Sequence, residues 1–364
     1  MSVLNLQQQI NSMIPYPLNK IGSLRISVLN PKLTNLLIQA RTNIALLNGY
    51  CMAIPNPFLL LSPAILKESL ASNEIENIQT TLIEALQNAL YPEAQRDQPD
   101  KEVLRYKEAV MWGFDQIKSG FPLVSRLITG VQEKLIPSDG SFRTIQNAIW
   151  NPATKKIVHL PPTASDIPEL IKDWEIFVNS DTSTDPLVKI AIAHYQFESI
   201  HPFKDGNGRT GRILMVLDLV KQKLLGLPIL YLSGYILTNK TRYYQVLQSV
   251  TKTNSWDEYL EFMLTAFAKQ ADSTAAIFTE IMNLLNTQKQ EFRSKLPKIY
   301  NREILEELFS SPILSPVSLG LRLGIHYTTA SKYLKELEKI GLLKTAKVGK
   351  HQFYMNHELI NILS

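Results

Sequence analysis

Apolar side chains recur every three or four residues along most of the chain, which is the spacing of one face of an α-helix. The longest runs predict helices over residues 33–47, 101–119, 122–135, 166–178, 186–199, 209–225, 241–250 and 257–295. A further run from Ile75 to Leu90 predicts a helix that begins near Asn73, with Ser72 as its N-cap. Helix therefore dominates the predicted fold.

Two stretches break this periodicity. Between residues 142 and 162, short runs of β-branched and aromatic residues flank Asn151-Pro152-Ala153-Thr154-Lys155, which predicts a β-hairpin. Farther upstream, Asn56-Pro57 and Ser62-Pro63 bracket a predicted short connection. Both stretches are interpreted as departures from an otherwise helical chain.

The last part of the chain has a pattern of its own. It predicts helices over residues 301–309, 316–323 and 328–340, followed by a β-hairpin around Gly349. This order resembles a winged helix. The predicted division is a helical region over residues 1–105, a core over 106–270, a connecting helix over 271–297 and the winged helix over 298–364.

Composition places the chain among ordinary globular proteins. Of its 364 residues, 45% are hydrophobic and 20% are charged. Apolar stretches such as residues 58–61 are too short to span a bilayer, so no membrane partner is expected. The first twenty residues lack a basic start and a continuous apolar run, so no secretory signal is expected. The single cysteine, Cys51, excludes an internal disulfide framework and suits a reducing cytoplasm.

Basic charge is localised near the C-terminus. The chain has a net charge of +5, and residues 322–350 alone contain seven Lys or Arg and two Glu. On the third helix and wing of a winged helix, this excess would suit DNA phosphates. Lysines and glutamates also alternate on many solvated helix faces, and winged helices can serve as protein-docking modules. DNA binding and protein binding therefore both stay open.

Twelve residues between two predicted helices hold the candidate chemistry: His201-Pro202-Phe203-Lys204-Asp205-Gly206-Asn207-Gly208-Arg209-Thr210-Gly211-Arg212. The glycines at 206 and 208 let the backbone approach a ligand closely, and the N–H groups at the following helix start favour an anion. Arg209 and Arg212 are three residues apart on the first turn, so both can face one phosphate group.

The charges in this segment also indicate an anionic ligand. Each arginine at a helix N-terminus is unfavourable by roughly 0.3–1 kcal/mol, and a bound polyphosphate would reverse that sign. Asp205 supplies a hard oxygen ligand that suits Mg²⁺. His201 can take up a proton near neutral pH.

Simpler motifs fit the segment less well. Asp-Gly-Asn-Gly alone would be interpreted as a tight turn. Residues 206–211 match the dinucleotide fingerprint formally, but a predicted helix rather than a strand precedes them. An EF-hand would need oxygen ligands where Arg209 stands and a glutamate where Val216 stands. The Gly-Lys-Ser/Thr of a P-loop is absent.

With every fixed position filled, the segment resembles the Fic-family signature, His-Pro-Phe-x-Asp/Glu-Gly-Asn-Gly-Arg-x-x-Arg. The resemblance implies a mainly α fold: a Fic-type helical core with a β-hairpin flap, followed here by a winged helix. It also implies an enzyme that moves AMP from ATP to a Ser, Thr or Tyr hydroxyl of a target protein, or of itself. Gly-Asn-Gly-Arg in place of Ala-Asn-Lys-Arg argues against the kinase branch of the family.

The resemblance also assigns roles. His201 would be the base that deprotonates the target hydroxyl, and Asp205 would hold Mg²⁺ against the phosphates of ATP. Asn207 would steady the α-phosphate, while Arg209 meets the β-phosphate and Arg212 the γ-phosphate. The other residues counted as nucleotide-binding in this segment are Gly206, Gly208, Thr210 and Gly211.

Residues 72–77, Ser-Asn-Glu-Ile-Glu-Asn, resemble the inhibitory motif Ser/Thr-x-x-x-Glu-Gly/Asn of some Fic proteins. In such proteins the glutamate pairs with the second arginine and displaces the γ-phosphate. The corresponding pair here would be Glu76 and Arg212, with Ser72 as the first residue of the motif. The alternative is an exposed glutamate on an amphipathic helix.

The predicted hairpin is similar in position to the family's flap, whose edge would capture an extended target segment by strand addition. Asn239 and Tyr244 lie where relatives bind adenine, although the tyrosine could instead belong to the core. A DNA-binding regulator that only senses nucleotide is the competing hypothesis. A different nucleotide, removal of AMP and a homodimer stay open.

Overall fold

The computed structural model describes residues 14–21, 30–52, 56, 58–91, 97–151, 156–180, 183–348 and 351–364. Most of these residues are helical, as the periodicity predicts. The helices before the C-terminal module are α1 (Pro31–Met52), α2 (Phe58–Ile75), α3 (Leu82–Asn88), α4 (Gln98–Lys118), α5 (Ser125–Leu135), α6 (Ile167–Asn179), α7 (Pro186–Ile200), α8 (Asn207–Lys221), α9 (Ser233–Thr238), α10 (Lys240–Thr253) and α11 (Trp256–Lys295). None of these described helices combines the length and the apolar character that crossing a bilayer requires.

The chain forms two compact units, each discontinuous in sequence. The first unit consists of residues within 1–41, 108–224 and 239–265. The second unit consists of residues within 42–107, 225–238 and 266–364. The four-part division predicted from the sequence stays a prediction.

Helices α7 and α8 form the centre of the first unit. Almost all of their residues are buried, the polar ones included, so each helix is covered on every side. Helix α6 packs against α7, and α5 packs against α8. The candidate segment therefore joins the two most buried helices of this unit.

The predicted hairpin is present in the first unit. Strands β1 (Ile149–Asn151) and β2 (Lys156–His159) pair antiparallel, with a register shift between Ile149 and Trp150. Its turn, residues 152–155, lies outside the described residues. Just beyond β2, the carbonyl of Leu160 accepts a hydrogen bond from the amide of Tyr16 at 2.9 Å, so an N-terminal segment lies beside the flap.

The prediction that a helix starts near Asn73 is wrong. Helix α2 instead ends at Ile75, and Asn77 adopts the left-handed backbone (φ 63°) that closes many helices. The amide of Ile78 then bonds the carbonyl of Asn73 at 3.0 Å. The next helix, α3, begins only at Leu82, because Thr81 and Glu84 form a capping box. The inhibitory motif thus lies at a helix end rather than a helix start.

The connection predicted at Ser62-Pro63 is also wrong. Both residues lie inside α2, which runs continuously from Phe58 to Ile75. Apolar residues on both sides of the proline, among them Leu59, Leu61 and Ile65, are buried in the second unit. Their burial outweighs the hydrogen bond that a proline removes from a helix interior.

The C-terminal module belongs to the second unit. It contains the three predicted helices, α12 (Arg302–Ser310), α13 (Pro316–Leu323) and α14 (Tyr327–Lys339), and the predicted hairpin, β4 (Lys344–Val348) and β5 (His351–Met355). A short strand β3 (Ile313–Leu314) completes a sheet of order β3-β5-β4. A final helix, α15 (His357–Leu363), follows.

Candidate functional site

The candidate site begins where α7 stops, at His201. This residue has left-handed backbone angles (φ 50°, ψ 59°), and its amide bonds the carbonyl of Phe197 at 3.0 Å. For a residue other than glycine, this conformation costs roughly 1–2 kcal/mol. The side chain is half-buried. The surrounding loop therefore has to hold His201 in place.

Asn207 closes that loop. Its side chain is buried, its Oδ1 accepts a hydrogen bond from the amide of Phe203 at 2.8 Å, and its Nδ2 donates to the carbonyl of Phe203 at 2.9 Å. Phe203 itself is fully buried. These contacts use the amide oxygen and one N–H of Asn207 within the protein, and its second N–H can meet a ligand.

Gly206 starts the helix that follows. Its φ of 75° is left-handed, and a Cβ added there would lie 2.8 Å from Cδ1 of Ile136. Only glycine satisfies both conditions. Because Gly206 is the N-cap of α8 and has no side chain, it cannot cap the first N–H groups of the helix. This helix start can therefore accept an external anion.

Gln132 of α5 holds the loop between α7 and α8 in place through two hydrogen bonds. Its Nε2 donates to the carbonyl of Asp205 at 2.9 Å, and its Oε1 accepts from Oγ1 of Thr210 at 2.7 Å. Thr210 is fully buried, and its amide bonds the carbonyl of Gly206 at 2.9 Å. The hydroxyl proton of Thr210 is therefore used inside the protein, and the prediction that Thr210 contacts the nucleotide stays a prediction.

Gly211 serves the packing of α7 against α8. A Cβ at this position would lie 2.3 Å from Oε1 of Glu198, so the carboxylate would have to move aside. The missing side chain lets the carboxylate of Glu198 sit against the helix backbone. The prediction that Gly211 contacts the nucleotide stays a prediction.

Arg209 and Arg212 are both almost fully buried on the first turns of α8. Nη2 of Arg209 lies 3.9 Å from Oδ1 of Asp205. Burial and the charge of Arg212 together lower the pKa of His194, on α7, to about 3, so that imidazole is neutral at physiological pH. Its Nε2 lies 2.6 Å from the hydroxyl of Tyr243. Two cations are thus concentrated at a helix end whose dipole favours an anion.

Asp205 is the candidate metal ligand. Its side chain is 75% exposed, and its Oδ1 accepts the amide hydrogen of Gly206 at 2.6 Å. No cluster of three His, Cys, Asp or Glu residues able to hold a metal occurs among the described residues. One exposed carboxylate beside a phosphate-binding helix end nevertheless fits Mg²⁺, which commonly takes one or two carboxylates together with phosphate oxygens.

Arg143 is a site residue that the sequence did not reveal. Its side chain is buried, its Nε donates to the carbonyl of His201 at 2.9 Å, and its Nη2 donates to the carbonyl of Pro162 at 2.6 Å. Its own amide donates to the carbonyl of Pro202 at 2.8 Å. Burial lowers its pKa to about 10, so it stays charged at neutral pH. Arg143 therefore ties the base of the flap to the loop that contains His201.

Asn147 adds a second tie, since its Nδ2 donates to the carbonyl of Phe203 at 3.1 Å. Neither Arg143 nor Asn147 belongs to an apolar period or to the signature. A lone arginine and a lone asparagine before a hairpin give no signal in a single sequence. Only the folded backbone identifies their carbonyl partners.

The residues predicted at the adenine end belong to the same unit. Asn239 is half-buried and stands at the N-cap position of α10. Tyr244 is 39% exposed, and its ring centroid lies 5.4 Å from that of Tyr243, which is buried. Tyr243 is therefore a core residue of this helix, whereas Tyr244 is partly exposed. The assignment of Asn239 and Tyr244 to the adenine end stays a prediction.

The residues of the inhibitory motif belong to the second unit. Ser72 is fully buried on α2, whereas Glu76 is half-buried in the turn that follows, with its amide bonded to the carbonyl of Asn73 at 2.9 Å. The pairing of Glu76 with Arg212 stays a prediction.

Three family models match the chain in consecutive segments. They are described as Fic/DOC family N-terminal over residues 34–115, Fic/DOC family over residues 122–219, and protein adenylyltransferase SoFic-like, C-terminal domain, over residues 284–359. The second of these contains the whole segment from His201 to Arg212.

Curated relatives match part of the chain. The chain is 27% identical over 163 residues to the protein adenylyltransferase Fic of Drosophila sechellia, a match that covers 42% of this chain and 32% of that protein. It is 46% identical over 59 residues to the protein of the same name in Drosophila mojavensis, covering 16% of this chain and 12% of that protein. The chain thus matches about a third or less of the length of these relatives.

Solved structures share the fold. A Fic family protein from Desulfovibrio desulfuricans G20 matches with a TM-score of 0.59 and 20% identity, over 90% of this chain and 97% of that one. Fic-1 of C. elegans matches with a TM-score of 0.54 and 18% identity, over 70% of this chain and 75% of that one. The family models together span more than half of the sequence, and the signature is complete. This chain belongs to the Fic/DOC family.

Proposed function

We propose that this protein transfers AMP from ATP to a hydroxyl side chain of a protein. The observation that carries the proposal is the start of α8, where Gly206 and two buried arginines, Arg209 and Arg212, lie within eleven residues of His201. The helix dipole and the two guanidinium groups all favour an anion at this helix start. A triphosphate is an anion of this kind.

The chain's own groups would position the phosphates. The N–H groups at the start of α8 point at the anion, and the two arginines can each contribute charge-assisted hydrogen bonds. Phosphoryl-type transfer depends on in-line positioning and on neutralisation of charge, more than on covalent participation by the protein. A rigid loop, closed by Asn207 and supported by Gln132, provides this positioning.

His201 would take the proton of the target hydroxyl as its oxygen attacks the α-phosphorus, and pyrophosphate would leave. Because the residue caps α7 in a left-handed conformation and its carbonyl accepts a bond from Arg143, its backbone is held at the mouth of the site. Asp205 would hold Mg²⁺, which when bound neutralises phosphate charge.

The flap would present the target. Its two short strands form a hairpin whose edge can accept an extended peptide by strand addition. Arg143 ties the foot of this hairpin to the loop that contains His201. A captured target segment would therefore be held close to the imidazole of His201. The printed name of the Drosophila relatives, protein adenylyltransferase, supports the same reaction.

Intact-mass spectrometry tests the proposal. The full chain is incubated with Mg²⁺ and ATP, GTP or UTP in separate samples, alone and with proteins of a cell extract. A mass gain of one AMP on any protein, the chain included, supports the proposal. A gain of GMP or UMP instead would assign a different nucleotide, and no gain in any sample would leave the competing function, a nucleotide-sensing regulator.

We also propose that Glu76 restrains the enzyme. Replacing Glu76 by glycine should raise AMP transfer by about 5–150-fold, the range of a typical coupling free energy of ~1–3 kcal/mol. The proposal is supported by the match of residues 72–77 to the inhibitory motif and by the position of Glu76, which is half-buried in the turn after α2. Initial rates with saturating Mg-ATP measure the effect.

Glu74→Gly is the matched control. Glu74 is exposed in the last turn of α2, two residues away, so its loss removes the same charge from the same helix end. It should leave the rate unchanged. Equal rates for Glu76→Gly and the wild type would reject the restraint.

A further inference from the structure

The outer face of α14 in the C-terminal module is basic. Thr328, Lys332, Lys335 and Lys339 are all exposed and lie four, three and four residues apart. This spacing places them in one stripe along the helix. The opposite face, with Ala330, Leu334 and Leu337, is buried in the module's core. The stripe therefore points away from the core into solvent.

The two glutamates of α14 neutralise this stripe only at Lys339. Glu336 and Glu338 lie on its two flanks, each about 80° around the helix from its centre. Glu338 accepts a hydrogen bond from Oγ1 of Thr345 on β4. Glu336 pairs with Lys339 at 2.7 Å. Among the described residues, no carboxylate pairs with Lys332 or Lys335, so their charges are available to a partner.

The wing extends the same surface. Thr345 faces α14 through its bond to Glu338, and Lys347 is two residues farther along β4. Because side chains two apart on a strand share a face, Lys347 lies on the same side of the hairpin as Thr345, and it is exposed. The basic surface thus comprises Lys332, Lys335 and Lys347.

The helix pair that presents this surface has the form of a helix-turn-helix. Helix α13 ends at Gly324, whose φ of 64° is left-handed, and three residues later α14 begins. A Cβ at Gly320 would lie 2.8 Å from the carbonyl oxygen of Ile325, so the turn packs tightly on α13. The start of α14 presents Tyr327 and Thr328, both exposed, beyond the capping side chain of His326.

We propose that the C-terminal module binds duplex DNA, with α14 in the major groove. In a helix-turn-helix, the second helix enters this groove with its N-terminal residues toward the bases. Tyr327 and Thr328 occupy that place, and the lysines would contact phosphates. The deep, narrow major groove of an RNA duplex would not admit the helix, so DNA is the favoured nucleic acid. An acidic protein surface is the competing partner.

Fluorescence anisotropy of a labelled mixed-sequence DNA duplex tests this proposal with the full chain and without ATP, so it is independent of the proposed enzyme activity. Lys332→Gln/Lys335→Gln removes two phosphate contacts, which should make the slope of log K against log salt less negative by about 2. Between 50 and 200 mM salt, the wild type should therefore lose about tenfold more affinity than the variant.

The matched control is Lys289→Gln/Lys298→Gln. It removes the same charge from two exposed lysines outside α14 and the wing, and it should bind DNA like the wild type. If the two double variants lost DNA affinity equally, only the net charge of the chain would matter, and the proposal would be overturned. It is also overturned if the wild type binds no duplex DNA at 50 mM salt, or if it binds polyglutamate or duplex RNA as tightly as DNA.

Discussion

Replacing His201 by alanine is expected to lower the rate of AMP transfer by at least about 10²–10⁴-fold, the contribution of a positioned general base. ATP binding should persist, because the phosphates are held by the start of α8 rather than by the imidazole. Initial rates with labelled ATP measure the first effect, and titration calorimetry with ATP measures the second.

His201→Asn separates loss of the base from backbone strain. Asparagine tolerates the left-handed conformation of residue 201 better than alanine does, but it cannot take up a proton near neutral pH. Both variants should be equally inactive and should unfold at nearly the same denaturant concentration as the wild type. Transfer at more than a tenth of the wild-type rate in either variant would remove His201 from the role of base.

Replacing Arg143 by alanine is expected to destabilise the first unit by about 3 kcal/mol or more and to slow transfer even where the protein stays folded. The change leaves the carbonyls of His201, Pro162 and Ile145 without their guanidinium donor. Each buried polar group that loses its partner costs about 1–3 kcal/mol. Urea unfolding measures the stability, and initial rates at saturating ATP measure the transfer.

Arg143→Lys and Arg126→Ala are the controls for this prediction. Lysine keeps the charge but lacks the planar fork that reaches several carbonyls, so it should give an intermediate loss. Arg126 is exposed, and its loss should change stability by no more than about 0.5 kcal/mol. If Arg143→Ala were as stable and as active as Arg126→Ala, the hydrogen bonds of Arg143 between the flap and the loop of His201 would contribute neither to stability nor to transfer.

Periodicity predicted most helices of this protein because their buried faces are apolar. Helix α13, for example, has the predicted bounds, residues 316–323, since Ser315 caps one end and Gly324 closes the other. The signature likewise predicted the loop between α7 and α8. In these places the local residues alone determine the structure.

Other features depend on partners distant in sequence. Helix α2 continues through Pro63 because the apolar residues before and after this proline are buried. The local Ser-Pro sequence predicts a turn and contains no information about that burial. The contacts of Thr210 and Gly211 with Gln132 of α5 and Glu198 of α7 likewise have no signal in the local sequence. Arg143 acquires its role only when residues 162 and 201 come together.

A crystal of the protein soaked with Mg²⁺ and a non-hydrolysable ATP analogue would show directly whether the start of α8 binds phosphate. We predict a triphosphate there, hydrogen-bonded to N–H groups of the first turn and to Arg209 and Arg212, with the α-phosphorus facing the imidazole of His201. A nucleotide bound elsewhere, or a helix start without phosphate density at saturating nucleotide, would contradict this prediction.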